Sequence, residues 1–188
     1  MLGVGDPTGL GWVSRVAAEA LAAGMGVTAH NLGVRGETSV QIAARWRGES
    51  DPHLLAQGQM GIVLSFGVND TTMENGRERV AAERSRKALG VILDEAEAMG
   101  LRALVVGPAP IDDPEQNRRI GDLSDSFAEI CAEHGAPFID VFELLLASPV
   151  WMAEVRAEDG AHPSSEGYRV LSQVVLGAGF LDWLGADG

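Results

Sequence analysis

The residues of this sequence best suited to chemistry are a carboxylate and an imidazole three residues apart, in Asp159-Gly160-Ala161-His162-Pro163. Pro163 disfavours helical geometry at His162, so the histidine should lie on a turn before the last helix. With Asp159 to orient it, His162 can act as the general base that activates a nucleophile. By itself, the segment is more typical of a loop in which the two side chains have no catalytic role.

Two other positions could stabilise an oxyanion. Gly36 precedes a helix that Thr38 or Ser39 should cap, and free backbone N–H groups at the start of a helix bind anions. Asn69 lies in a Gly-Val-Asn-Asp string after an apolar run, and its uncharged amide can donate a hydrogen bond to the same anion. Such a string is also common in simple turns. Together with Asp159 and His162, the two donors would supply the machinery of an acyl-transfer enzyme except for its nucleophile.

Strand-like and helix-like segments alternate along the chain, which predicts an α/β fold with a parallel sheet covered by helices on both faces. The predicted strands are residues 27–31, 60–66, 101–106 and 137–141, and the predicted helices are residues 12–23, 76–98, 114–134 and 165–177, with another beginning near residue 38. The apolar run over 60–66 is typical of a strand buried on both faces. No linker or repeat interrupts residues 1–188, so we expect one domain. Sites in such sheets form beyond the carboxyl ends of the strands, where Gly36, Asn69 and His162 should converge.

Composition argues against several classes of protein. A net charge of −13 over 188 residues is unsuited to nucleic acid, which is bound by clustered Lys and Arg. No apolar run reaches the roughly 18 residues of a membrane span, and no signal peptide is recognisable, so we expect a cytoplasmic protein, with secretion left open. Cys131, the single cysteine, should be a buried apolar residue. The four histidines show no metal-ligand spacing, and we expect neither a metal nor an organic cofactor.

The order of these segments resembles that of the SGNH (GDSL-type) hydrolase family. Gly36 in Arg-Gly-Glu-Thr-Ser resembles the second block of that family, Asn69 in Gly-Val-Asn-Asp resembles the third, and Asp159 with His162 resembles the fifth. The resemblance implies a flavodoxin-like, three-layer α/β/α sandwich. It also implies that Gly36 and Asn69 form an oxyanion hole, that His162 is the catalytic base and that Asp159 orients it.

The first block of the family is missing from the sequence. No Gly-Asp-Ser string is present, and the nearest one, Gly5-Asp6-Pro7, has proline where the nucleophile would be. Residues 2–12 instead resemble the loop that follows the catalytic serine in the family, so we expect that serine and the first, central strand to precede Met1. The other serines are poor substitutes. Ser39 and Ser164 should be helix caps, Ser65 should lie within a buried strand, and Ser14 should lie on the first helix.

These observations favour a serine esterase that acts on small acyl esters, thioesters or acetylated sugars. The alternative is a non-catalytic relative that keeps a binding cleft without the nucleophile. A flavodoxin-like cofactor binder would share the fold class, but the sequence lacks a Ser/Thr-rich loop to hold a phosphate group.

A further set of apolar residues has three interpretations. Trp46, Trp151 and the segment 142–155 could wall an acyl pocket, belong to the core, or form a dimer face. We favour the core or the dimer face, and a homodimer is left open.

Overall fold

The computed structural model describes residues 3–54 and 58–186. Its helices are α1 (Gly11–Ala22), α2 (Ser39–Ser50), α3 (Ala82–Ala98), α4 (Pro114–Glu133), α5 (Phe142–Leu146), α6 (Pro149–Ala157), α7 (Ser165–Gly177) and α8 (Phe180–Gly185), and a 3₁₀-helix covers Asp51–His53. Its strands are β1 (Gly61–Leu64), β2 (Met73–Glu74), β3 (Arg77–Glu78), β4 (Arg102–Val106) and β5 (Phe138–Ile139).

Three of the strands form a parallel sheet in the order β1-β4-β5. Gly61 pairs with Arg102 at one end of the first ladder, and Val105 pairs with Phe138 in the second. Helices α3 and α4 make the crossovers between these parallel strands, as parallel pairing requires. The predicted fold class, α/β with a parallel sheet, is confirmed.

The residues of the chain group into two compact units, each with its own apolar interior. One unit comprises residues 36–109 and 115–142, and the other comprises residues 1–35, 110–114 and 143–188. In the first unit, the sheet packs against its helices through a cluster that includes Leu89, Ile92 and Phe127. The second unit is helical, and α7 packs against α1 and α6. The assignment of the whole chain to one domain stays a prediction.

Two predictions about strands were wrong. Residues 27–31 are not assigned to any strand. The strand β1 is shorter than the predicted 60–66 and is not buried on both faces, because the Val63 side chain is 37% exposed while Leu64 is 4% exposed. Among the described residues, β1 lies at an edge of the three-stranded sheet, and only its pairing with β4 is seen.

The helix predicted over 76–98 begins six residues later, at Ala82. The preceding residues form an antiparallel hairpin of β2 and β3, whose turn is Asn75-Gly76 with φ of +54° and +79°. Asn-Gly is the sequence that a tight two-residue hairpin turn prefers, since both central residues need positive φ. The turn chemistry was therefore visible in the sequence and was overridden there by the helical pattern that follows it.

The segment 142–155 forms two short helices, α5 and α6, which the sequence had not predicted. Ser148 caps α6 by accepting a hydrogen bond from Trp151 N at 3.3 Å. The Trp151 side chain is fully buried and its Nε1 donates to Pro110 O at 3.0 Å, while Trp46 is also buried and donates to Glu95. Both tryptophans are core residues, as we had favoured over a pocket wall.

Cys131 on α4 is buried, as predicted, and burial raises the pKa of its thiol to about 12.

Within residues 3–54 and 58–186, no helix combines the length and apolar character needed to cross a membrane.

Candidate active site

The structure brings Asp159 and His162 together on the turn between α6 and α7. His162 Nδ1 lies 2.9 Å from Asp159 Oδ2 and 3.1 Å from Oδ1. The Asp159 carboxylate also accepts the backbone N–H groups of Ala161, at 3.0 Å, and of His162, at 2.9 Å. A proton on Nδ1 is thus directed at Asp159, which leaves Nε2 as the ring atom that can accept a proton from a nucleophile.

This turn is fixed by contacts on both of its sides. Gly160 O accepts a hydrogen bond from Asp112 N at 2.8 Å. On the other side, Ser164 occupies the N-cap position of α7, and Gly167 N in the first turn of that helix donates to Glu154 of α6 at 2.7 Å. The turn that carries His162 is therefore held between two helices that pack against each other.

The environment of Asp159 favours its ionised form. Partial burial by itself raises the pKa of this carboxyl, but the hydrogen bonds from the His162 ring and from the N–H groups of Ala161 and His162 outweigh it, and the pKa lies below its ordinary value. Arg35 Nη2 adds a contact at 3.5 Å, which is weak because both side chains are largely exposed. An ionised Asp159 is the state that an orienting carboxylate requires.

The depressed pKa of Asp159 links the ionisation of this carboxyl to the stability of the folded protein, and it can be tested by removing His162. A depressed folded-state pKa stabilises the folded protein above the ordinary pKa, about 3.9, and that contribution is lost as the pH falls through the folded-state value. We expect His162→Ala to raise the pKa of Asp159 towards its ordinary value, because the largest of the favourable interactions is removed. NMR titration of the Asp159 side-chain carboxyl carbon measures this, and an unchanged midpoint in the variant would contradict the assigned contact.

Sequence reasoning missed a buried carboxylate close to this turn, that of Asp6. Its oxygens accept hydrogen bonds from Thr8 N at 2.9 Å, Thr8 Oγ1 at 2.7 Å, Gly11 N at 3.0 Å, Arg15 Nη1 at 2.6 Å and Ser165 Oγ at 2.7 Å. Burial opposes ionisation, yet these donors hold the pKa of the Asp6 carboxyl well below its usual range. Because Ser165 is the first residue of α7, Asp6 ties the loop before α1 to the helix that follows His162.

The proposed oxyanion residues lie together in the unit that contains the sheet. Asn69 follows β1, and its Nδ2 donates to Glu37 O at 2.8 Å. Gly36, the residue before Glu37, has a φ of +80° and precedes the capping residue Thr38 of α2. The N–H of Thr38 donates to Gln41 Oε1 at 2.9 Å, as expected for a capping box. The hydrogen bond to Glu37 O uses one hydrogen of the Asn69 amide and fixes the orientation of that amide. The second amide hydrogen is available to a ligand.

The residue after Asn69 ties this turn to two neighbouring helices. Asp70 is completely buried, and its carboxylate accepts from Ser39 N at 2.8 Å and from Ser85 Oγ at 2.7 Å. It therefore joins the end of β1 to the start of α2 and to α3. Gln116 of α4 adds a hydrogen bond from its Nε2 to Val68 O at 3.0 Å.

Two of the four serines lie where the sequence predicted, because Ser164 is the N-cap residue of α7 and Ser14 is on α1. The other two predictions were wrong, because Thr38, not Ser39, is the N-cap residue of α2 and Ser65 lies outside β1. In residues 3–54 and 58–186, no serine hydroxyl is hydrogen-bonded to His162. Ser165 is close in sequence, but its hydroxyl is bound to Asp6.

The segments that contain Gly36, Asn69 and the Asp159–His162 pair lie within a match to a known protein family. The model of the GDSL-like lipase/acylhydrolase family matches residues 2–170. The chain belongs to this family. The matched range contains Gly36, Asn69, Asp159 and His162, and membership of the GDSL-like family supports an acyl hydrolase as the general activity. A search of curated protein sequences found no significant match.

Solved structures of esterases share the fold of this GDSL-like chain. An esterase from Pseudoalteromonas sp. is 15% identical, with a TM-score of 0.74, over 98% of this chain and 93% of that one. A lipase/acylhydrolase from Enterococcus faecalis is 23% identical, with a TM-score of 0.72, over 89% of this chain and 84% of that one. An acetylxylan esterase from Geobacillus stearothermophilus is 20% identical, with a TM-score of 0.71, over 94% and 82%. The similarities confirm the predicted SGNH hydrolase fold.

Proposed function

We propose that the protein is a serine-type carboxylic ester hydrolase in which His162 is the general base and Asp159 its orienting carboxylate. The observation that carries this proposal is the hydrogen bond between His162 Nδ1 and Asp159 Oδ2, 2.9 Å long, in a chain of the GDSL-like family. An imidazole oriented through Nδ1 presents Nε2 for proton transfer, which is the arrangement of a catalytic triad.

The reaction follows from these roles. The proposed nucleophile is the hydroxyl group of the serine in the family's Gly-Asp-Ser block. The printed sequence does not contain that string. In the proposed mechanism, His162 Nε2 accepts the hydroxyl proton as the oxygen bonds to the ester carbonyl carbon. The tetrahedral oxyanion accepts hydrogen bonds from Gly36 N–H and the Asn69 amide, and His162 then donates the proton to the leaving alcohol. A water molecule then attacks the acyl-enzyme by the same steps, and the carboxylic acid is released.

Small acyl esters, thioesters and acetylated sugars are the substrate classes that we propose. Family membership supports acyl transfer in general. In the segment 142–155, Trp151 and Leu145 are fully buried, whereas Leu144 and Val150 are exposed.

A second candidate is a non-catalytic binding domain of the same fold. The observation in its favour is that no serine hydroxyl among the described residues reaches His162. Against it, Asp159 keeps the three hydrogen bonds that orient and charge a catalytic pair. These contacts orient an imidazole for proton transfer, which binding alone does not require.

The two candidates differ in their reaction with a fluorophosphonate probe. An activated serine is labelled covalently, whereas a binding domain is not. The test uses the protein purified from its native host, with intact mass measured before and after labelling and hydrolysis of p-nitrophenyl acetate followed in parallel. The esterase is supported if the native protein hydrolyses the ester and is labelled by the probe, and if labelling is lost after heat denaturation. Absence of both identifies the binding domain.

Replacing the proposed oxyanion amide should impair the chemical step. We expect Asn69→Ala to lower kcat by a factor of about 10²–10³, as loss of one oxyanion donor does in other hydrolases, while KM changes little. Steady-state kinetics with p-nitrophenyl acetate measures both constants. Asn31→Ala is the matched control, because Asn31 is exposed and its side chain accepts a hydrogen bond from Gly33 N. Equal kcat values for the two variants would remove Asn69 from the mechanism.

A further inference from the structure

Gly36 lies in a part of the chain that packing does not hold. Its φ of +80° is in the left-handed region, and a β-carbon added at this position would meet no atom within 4 Å. The residue is also exposed. A glycine in these surroundings keeps much of its backbone freedom, since neither a side chain nor close packing restricts it. Hydrogen bonds from neighbouring residues can therefore restrict the direction of its N–H group.

Three side chains supply hydrogen bonds to Gly36 and Glu37. Arg79 Nη2 donates to Gly36 O at 3.0 Å, and Asn69 Nδ2 donates to Glu37 O at 2.8 Å. Arg45 Nε donates to both carboxylate oxygens of Glu37, at 2.7 and 2.8 Å. Of these three side chains, Arg79 is the one bound to Gly36 itself.

Arg79 is well placed to hold Gly36 steady. It directly follows the hairpin, and its backbone N–H donates to Thr72 O at 2.9 Å. Its guanidinium Nε lies 3.2 Å from Glu74 Oε1, and its side chain is only 23% exposed. The next residue, Val80, donates its N–H to Asp70 O at 3.1 Å. The hairpin is thus attached to the turn that carries Asn69.

We propose that Arg79 is a positioning residue for the oxyanion donors. Its hydrogen bond to Gly36 O restricts rotation of the backbone beside the Gly36 N–H, while the attached turn orients the Asn69 amide. Arg79 itself does not contact the substrate. The proposal rests on the proposed function for its catalytic consequence, but the ordering of Gly36 by Arg79 is a property of the folded chain alone.

The first experiment measures the order of Gly36 without any substrate. We expect the ¹⁵N order parameter of the Gly36 amide to fall from about 0.85 in the wild-type protein to below about 0.6 in Arg79→Gln. Arg79→Lys, which keeps a charged donor, should give an intermediate value. The control is Arg77→Gln, an exposed arginine two residues away on the same hairpin, which should leave Gly36 unchanged. Equal thermal unfolding of all four proteins excludes a global effect.

The second experiment measures hydrolysis of p-nitrophenyl acetate by the same variants. We expect Arg79→Gln to lower kcat by about tenfold or more with KM nearly unchanged, Arg79→Lys to restore part of the loss, and Arg77→Gln to match the wild type. An unchanged Gly36 order parameter in Arg79→Gln overturns the proposal, as does equal kcat for Arg79→Gln and Arg77→Gln. If the wild-type protein purified from its native host hydrolyses no ester, the proposed function fails, and the order parameter still decides whether Arg79 positions Gly36.

Discussion

His162→Ala should lower kcat for p-nitrophenyl acetate by a factor of about 10²–10⁴, the contribution expected of a general base. KM should change little, because the imidazole acts on the proton that moves in the transition state. The measurement is steady-state kinetics at neutral pH, combined with the rate of labelling by the fluorophosphonate probe. Labelling should slow by a similar factor, since the same base activates the nucleophile towards the probe.

A matched control for this variant is His134→Ala. His134 lies just after α4, with Nδ1 2.8 Å from Ile130 O and Nε2 3.1 Å from Asp94. It is a partly exposed histidine with a carboxylate partner, but its sequence context does not resemble a block of the family. Its removal should leave kcat unchanged. A decrease of less than about tenfold for His162→Ala, equivalent to 1.36 kcal/mol in the barrier, would contradict the role of His162.

Asp6→Ala should lower the free energy of unfolding by about 3–5 kcal/mol, the cost of breaking a buried ion pair by removing one partner. The side chain of Asp6 is fully inaccessible, and Arg15 would keep its charge with the carboxylate gone. Thr8, Gly11 and Ser165 would each lose a hydrogen-bond acceptor as well. Urea denaturation followed by circular dichroism measures the difference.

The effect of Asp6→Ala should depend on pH in a defined direction. The folded-state pKa of Asp6 is depressed, so its stabilising contribution is complete above the ordinary pKa, about 3.9, and is lost as the pH falls below it. The stability difference between wild type and variant should therefore shrink on acidification. Asp122→Ala, at an exposed position of α4, is the control and should be within about 0.5 kcal/mol of wild type. A difference that does not vary with pH would contradict an ionised Asp6.

Local features of the fold were predictable because their signals lie within a few residues. The pairing of Asp159 with His162 spans three residues and follows from the turn that Pro163 imposes. The start of α2 follows from Thr38 and its capping partner Gln41. The Asn75-Gly76 hairpin turn also had a local signal, but the helical pattern from Ala82 onwards was extended too far towards the N-terminus.

The sequence by itself determined the alternation of strands and helices, the family and the histidine–aspartate pair, since each depends on short-range spacing. Only the tertiary structure showed the links between distant segments: Ser165 reaches Asp6 across 159 positions, and Arg79 reaches Gly36 across 43. Hydrogen bonds of this kind depend on how the elements pack, and neither residue type nor periodicity encodes their partners. For the same reason, the burial of Asp6 and the exposure of Val63 on β1 became visible only when the chain was folded.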